Sequence, residues 1–201
     1  ALQLNVCHIS AYHLIYEEGT CLWKMKEAGK VCEIDEELSV QLFEVLMTTL
    51  KANGFEHYEI SNFALPHFRS RHNSSYWNAT AYLGIGAAAH SYDGSCRLYN
   101  VADTQRYCEA IEQGTNCLYT EKLTKNEQYD DLIITSLRTC EGLSIDNVRN
   151  LFGDEYVSYL LQQAKPYLQN KTLCLTATHL KLSHTGIFVS DGIMSDLLRP
   201  E

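Results

Sequence analysis

The sequence predicts an α/β protein in which a partial (β/α) barrel half over residues 1–118 precedes a mostly helical, winged-helix-like domain over residues 119–201. Strand-like and helix-like segments alternate in the first part, which favours a parallel sheet built of βα units. These units are too few to close a barrel, so we expect a barrel portion. After about residue 118 the pattern changes to three helices, a short hairpin and a closing helix.

The first part opens on a strand-like segment from Leu4 to Leu14. Asp35 is expected to cap a helix whose apolar residues recur at the helical period, and Asn53-Gly54 is expected to end it. Asp103 and Gly114 delimit a second helix in the same way. Further strands are predicted at residues 58–61, 82–85 and 97–101.

In the second part, Thr124 and Glu127 form a predicted capping box at the start of a helix. The buried stripe of this helix is expected to hold Tyr129, Leu132, Ile133, Ser136, Leu137 and Cys140. Pro166 is expected to kink or end the third helix, and residues 173–175 and 180–182 to form a two-stranded wing. Such modules often bind DNA, but residues 120–201 carry more acidic than basic side chains, so a structural or docking role is favoured.

The composition excludes several classes of protein. The net charge of −9 argues against non-specific binding to nucleic acid or anionic membranes. The sequence contains neither a transmembrane-length apolar run nor a signal-peptide pattern, so a cytoplasmic location is expected. The eight cysteines form no C-x-x-C pair, and we expect them to be reduced and mostly packed.

A polar loop between two predicted strands carries the first candidate site. Two strand ends that open into such loops are typical of the ligand-binding face of a βα barrel. His72 can ligate iron or bond to loop backbone, while Tyr76 and Trp77 can offer flat faces to a ligand or close the barrel mouth. Arg69 and Arg71 can pair with ligand carboxylates or remain solvated.

The second candidate site follows the next predicted strand. Gly84 and Gly86 allow close backbone approach, as a nucleoside site needs, although a tight turn is the ordinary explanation. Tyr12 and Glu17 lie at or beyond the end of the first predicted strand, where barrel sites cluster. His90 is interpreted as a structural histidine.

Four spaced segments of the chain resemble the HemW branch of the radical-SAM family, which is grouped with the oxygen-independent coproporphyrinogen III oxidases. The segments are His8-Ile-Ser-Ala-Tyr12-His-Leu14, Tyr58-Glu-Ile-Ser-Asn62-Phe-Ala, His72-Asn-x-x-Tyr76-Trp and Gly84-Ile-Gly-x-x-Ala-His90-Ser. The likeness continues into the second part at Leu137-Arg-Thr-x-Glu141-Gly and Phe152-Gly. Ala87 and Ala88 depart from it, because many relatives have glycine or proline there.

The resemblance implies a haem chaperone, a protein that binds haem and delivers it to acceptor proteins. The haem-binding residues it implies are Arg71, His72, Asn73, Tyr76 and Trp77. The residues it implies for S-adenosylmethionine are Tyr12, Gly84, Ile85, Gly86 and Ala87. Radical-SAM chemistry needs a [4Fe–4S] cluster on clustered thiolates, which this chain lacks. We therefore expect those cysteines upstream in a longer parent, no catalytic residues or metal on this chain, and no activity by the chain alone.

Two other functions stay open at this point. One is a coproporphyrinogen III oxidase, although those enzymes resemble one another in a different segment at the place of His72–Trp77. The other is a non-catalytic, regulatory winged-helix protein, against which the acidic second part speaks. An incomplete barrel leaves an edge strand and an apolar face uncovered, so self-association is also expected.

Overall fold

A computed structural model describes residues 1–200 of this mixed α/β protein. The chain forms two compact units, which meet in sequence between Ser70 and Arg71. This division differs from the domain boundary expected between residues 118 and 119, which falls inside a paired strand. No helix in residues 1–200 is long and apolar enough to cross a membrane.

The first unit combines a small sheet with two helices. Its elements after a 3₁₀ turn at Leu2–Leu4 are β1 (His8–Ser10), α1 (Cys21–Glu27), α2 (Glu36–Ala52), β2 (Glu56–Glu59) and β3 (Asn62–Ala64). The sheet has the order β1-β3-β2, and both pairings are antiparallel. Asp35 caps α2 as predicted, and the buried Met47 and Leu50 lie on its last two turns. The apolar residues nearer its start, such as Leu42, are exposed.

The second unit begins with a helix and a second sheet. These elements are α3 (Arg71–Trp77), β4 (His90–Tyr92), β5 (Cys96–Asn100), α4 (Thr104–Gln113) and β6 (Leu118–Lys122). The sheet order is β4-β5-β6, again antiparallel. Asp103 and Gly114 delimit α4 as predicted.

Helices and a third sheet follow in the same unit. They are α5 (Lys125–Leu137), β7 (Leu143–Ser144), α6 (Ile145–Phe152), α7 (Asp154–Gln169), β8 (Leu173–Leu175), β9 (His179–Leu182), α8 (His184–Ile187) and α9 (Ser190–Leu197). The predicted capping box at Thr124 is present, and Tyr129, Ile133 and Leu137 of α5 are fully buried in the core. The predicted hairpin is confirmed as β8 and β9, with β7 added beside β9.

Several expectations for the first part of the chain are wrong. Every strand pairing in residues 1–200 is antiparallel. Tight turns rather than crossover helices connect β2 to β3 and β4 to β5. Strands β5 and β6 are antiparallel although α4 lies between them in the chain. Residues 82–85 do not form a strand beyond one bridge between Tyr82 and Tyr92. The expected polar loop contains α3.

The expectation that the cysteines are mostly packed also fails. The cysteines are free, but five are exposed and the other three are only partly buried. Cys140 is among the exposed thiols because α5 ends at Leu137, so Cys140 lies outside the helix. Pro166 does not end α7, which continues to Gln169.

Candidate functional site

The second unit contains a cavity of about 630 Å³ between α3, the β4–β5 hairpin and α5. This volume lies within the roughly 300–1,000 Å³ typical of small-molecule and cofactor sites. Its lining combines aromatic rings with a few charged groups. The aromatic lining residues are Tyr76, Trp77, Tyr82, Tyr92 and Phe152.

The sheet supplies one wall of the cavity. His90 and Tyr92 are two residues apart on β4, so their side chains share a face of the sheet. Arg97 on β5 is the cross-strand partner of Tyr92 and faces the same way, and all three residues line the cavity. The ring of His90 packs on Tyr99, with 5.6 Å between the ring centroids.

Helix α3 supplies a second wall through its last turn, where Tyr76 and Trp77 line the cavity. The ring of Tyr76 meets Tyr82 edge-on, with 4.8 Å between centroids. The indole Nε1 of Trp77 is buried and has no hydrogen-bond acceptor within residues 1–200. A buried donor without a partner costs about 1–3 kcal/mol, so a ligand acceptor or a water molecule at this atom would stabilise the site.

Helix α5 supplies the third wall through the face opposite to Tyr129, Ile133 and Leu137, which are buried in the core. Gln128, Asp131, Leu132 and Thr135 line the cavity at the i, i+3, i+4, i+7 spacing of one helix face. At the start of α5, the ammonium of Lys125 donates to the carbonyl of Phe152 at 3.0 Å. One helix thus holds the core and shapes the cavity.

An ion pair joins two of these walls. The Nη2 atom of Arg97 donates to Oδ1 of Asp131, and Nη1 lies 3.7 Å from the carboxylate of Glu121. Burial raises the pKa of the Asp131 carboxyl, and the neighbouring Arg97 opposes that rise. Burial also raises the pKa of Tyr82 and of Tyr92, so both phenols are protonated at neutral pH.

The structure brings only part of the predicted haem site to the cavity. Tyr76 and Trp77 line it, whereas Arg71, His72 and Asn73 lie on the first turn of α3 and are absent from its lining within residues 1–200. His72 is exposed and its ring meets Tyr76 edge-on at 5.1 Å between centroids. His90, interpreted from sequence as structural, is the histidine that lines the cavity.

Backbone hydrogen bonds hold the predicted nucleoside segment, residues 84–87, against β4, β5 and α4. The N–H of Gly84 donates to Oγ of Ser91 at 2.9 Å, and the N–H of Gly86 donates to the Tyr107 hydroxyl at 3.2 Å. The amide of Asn100 donates to the carbonyl of Gly86 at 2.9 Å. Ile85 between the two glycines is highly exposed. Gly84 therefore serves close packing against β4, whereas Gly86 has a positive φ of 118°. Ile85 is the residue of this segment best exposed to a ligand.

The remaining predicted residues belong to the first unit. Tyr12 lies beyond β1 and is exposed. Arg69 donates to Glu56 at 2.9 Å and its guanidinium lies 5.6 Å from the centroid of the Tyr58 ring. The backbone carbonyl of Glu17 accepts a bond from Thr20, which caps α1. Arg69 and Glu17 thus have structural contacts within their own unit.

The sequence reasoning missed most of the cavity. The sequence does not single out Asp131 and Gln128, because the apolar stripe of α5 is the stronger pattern, although the opposite face shows its own helical spacing. Arg97 and Tyr92 come together only through the β4–β5 hairpin that pairs them. Its turn residues, Asp93-Gly94, are a strong hairpin signal.

Within residues 1–200, no group of three or more histidine, cysteine or acidic side chains is arranged to hold a metal ion. The residues at the cavity fit a flat, mostly apolar molecule better, because aromatic rings line it.

A family model and a solved structure are similar to parts of this chain or to its fold. Residues 123–189 match the family model of the HemN C-terminal domain. The segment includes α5 and therefore one wall of the cavity. A solved structure described as "Coproporphyrinogen III oxidase (HemN) from Escherichia coli is a Radical SAM enzyme" matches the fold with a TM-score of 0.73 over 97% of this chain and 48% of that one, at 16% identity.

Curated relatives then narrow the likeness. The heme chaperone HemW of Bacillus subtilis is 29% identical over 98% of this chain and 52% of its own length. The mitochondrial radical S-adenosyl methionine domain-containing protein 1 of Danio rerio is 40% identical over 97% of this chain and 47% of its own length. The chain is similar to HemW-like members of the radical-SAM proteins over nearly its whole length. It spans about half the length of the curated relatives it matches.

Proposed function

We propose that this chain is the haem-handling part of a HemW-like protein that binds haem and delivers it to acceptor proteins. The observation that carries the proposal is the α3 helix, where His72 packs on Tyr76 and Tyr76 in turn lines an aromatic cavity. In this proposal haem is cargo, and the chain supplies an axial ligand and a flat apolar surface.

His72 is the proposed iron ligand. Its ring is exposed at the start of α3, so a nitrogen can reach an iron without a buried hydrogen bond being broken. Tyr76 and Trp77, one turn later, are the proposed contacts of the macrocycle, and Arg71 and Asn73 are proposed to bind its polar edge. His90 is the competing ligand because it lines the cavity directly.

The test is a haem titration of the intact protein followed at the Soret band. The proposal predicts that His72→Ala abolishes or shifts the band of the bound haem, while His90→Ala leaves its position unchanged. The matched control is His184→Ala, an exposed histidine in α8 that does not line the cavity. A spectrum unchanged in His72→Ala would refute ligation by His72, and a change confined to His90→Ala would assign the iron to the cavity histidine.

A coproporphyrinogen oxidase is the second candidate function, favoured by the likeness of the fold to the HemN enzyme. Both functions handle a tetrapyrrole, so the cavity serves either. Turnover distinguishes the two functions. The oxidase releases carbon dioxide from propionate groups, whereas a chaperone returns haem unchanged to an acceptor. S-adenosylmethionine and a [4Fe–4S] cluster are proposed for the intact protein, the latter on residues outside this chain.

A further inference from the structure

Arg97 occupies an unusual position in the wall of the cavity. It lies in the central strand β5, with Tyr92 beside it on β4 and Glu121 beside it on β6. Strand pairing on both sides therefore fixes the backbone position of Arg97, and the ring of Tyr92 flanks it on the cavity side. A guanidinium set among rings in a concave wall is a common means of recognising an acidic group on a flat ligand.

Much of the donor capacity of Arg97 is unused. A guanidinium carries five N–H donors. Within residues 1–200 the hydrogen bond of this side chain is from Nη2 to Asp131, while Glu121 at 3.7 Å is beyond hydrogen-bond length. The side chain of Arg97 is 40% exposed, so its other donors are open to solvent.

Asp131 is a partner that a better acceptor can replace. Burial raises the pKa of its carboxyl even though Arg97 opposes the rise, so the wall disfavours its charged form. A ligand carboxylate that brings its own apolar body into the cavity would bind the guanidinium in two-pronged fashion, which is the stronger geometry.

We propose that Arg97 selects the ligand of this cavity by binding a carboxylate, in exchange for Asp131, and that the ligand class is a flat, largely apolar molecule with acidic side groups. This inference rests on the proposed function, in which the flat molecule is haem and the acidic groups are its propionates. Arg97 then discriminates against macrocycles whose acids are blocked.

The experiment compares haem with haem dimethyl ester, in which both propionates are esterified, on the intact protein. Because a hydrogen bond to a charged group contributes about 1.5–3 kcal/mol, Arg97→Gln is expected to weaken haem binding about 10- to 100-fold. The same variant is expected to leave the affinity for the ester unchanged. Arg106→Gln, on the exposed face of α4 away from the cavity, is the matched control and is expected to change neither affinity.

A second variant acts in the opposite direction. Asp131→Asn removes the competing carboxylate from Arg97 and is expected to tighten haem binding while leaving the ester unaffected. The Asp131→Asn variant also tests the proposal if Arg97→Gln does not fold, which circular dichroism would reveal. Failure of the unaltered protein to bind either compound would contradict the proposed function itself. Equal affinities for haem and the ester, or an Asp131→Asn variant with unchanged preference, would overturn the role of Arg97 alone.

Discussion

The backbone carbonyl of His90 occupies the space that a side chain on Gly84 would enter. Any β-carbon at residue 84 would collide with main-chain atoms of β4, which cannot move aside as a flexible side chain can. Glycine is therefore required here for close packing of the segment against the sheet that carries His90 and Tyr92.

We predict that Gly84→Ala destabilises the second unit by about 1–3 kcal/mol, the usual cost of forcing atoms into a packed site. Gly192→Ala is the matched control, because it lies in α9 with open space around it and should raise the free energy of unfolding by about 0.5–1 kcal/mol. Urea unfolding of both variants measures the difference. A Gly84→Ala protein as stable as the unaltered one would show that the segment can move away from β4.

The buried phenol of Tyr129 predicts an alkaline instability. Burial raises the pKa of this phenol, whose hydroxyl donates to the carbonyl of Leu197 at 3.2 Å. In the unfolded chain it titrates near pH 10, so above about pH 10 the unfolded state releases a proton that the folded state retains. The free energy of unfolding should then fall by up to about 1.4 kcal/mol per pH unit from this group.

Tyr129→Phe tests that slope. The variant should be about 1 kcal/mol less stable at pH 8, because the bond to Leu197 is lost, and this deficit should shrink as the pH rises above 10. Tyr119→Phe, at an exposed phenol on β6, should retain the slope of the unaltered protein. Denaturant titrations at pH 8 and pH 10.5 provide the comparison, and a constant deficit at both values would argue against the Tyr129 assignment.

The capping box of α5 gives a third prediction. The hydroxyl of Thr124 accepts from the N–H of Glu127, and the Glu127 carboxylate accepts from the N–H of Thr124. Thr124→Ala should lower the free energy of unfolding by about 1 kcal/mol, while Glu127→Gln should largely preserve the cap. Ser158→Ala, which removes a hydroxyl within α7, serves as the control and should be neutral or slightly stabilising. Equal losses in Thr124→Ala and Ser158→Ala would rule out a special contribution from the cap.

Tyr76 should affect the affinity for haem but not its coordination. Loss of the ring in Tyr76→Ala removes contacts that contribute about 0.5–1.5 kcal/mol beyond burial, so haem affinity should fall about tenfold or more. Tyr76→Phe keeps the ring and should bind nearly as well. Both variants should show an unshifted Soret band when saturated. A shifted band in Tyr76→Ala would mean that this ring controls the ligation of the iron.

The sequence predicted the elements that carry local signals. Caps at Asp35, Asp103 and Thr124 locate three helices, because a capping side chain bonds to backbone only three residues away. The pairing of strands was not predictable from alternation of helices and strands, since that pattern alone does not show which strands are joined by tight turns. The turn at residues 60–61 contains neither glycine nor proline, so β3 had no local signal.

The same distinction between local sequence signals and tertiary pairing applies to the candidate site. Tyr76 and Trp77 were found because a compact motif holds them, whereas Arg97 and Asp131 come from elements 34 residues apart in sequence. Their contact depends on the register of β5 and on the rotation of α5, which are settled by tertiary packing. The exposure of His72 likewise follows from the helix that replaced the expected loop.

Helix α5 contacts the hydrophobic core with one face and the cavity with the other, so occupancy of the cavity and folding of the second unit are thermodynamically linked. A ligand that binds only the folded unit raises its stability by about 2.7 kcal/mol at one hundred times the dissociation constant. The melting temperature of the protein would therefore report binding for ligands that have no colour. Substitutions that loosen the core side of α5, at Ile133 for example, should weaken binding without touching the ligand.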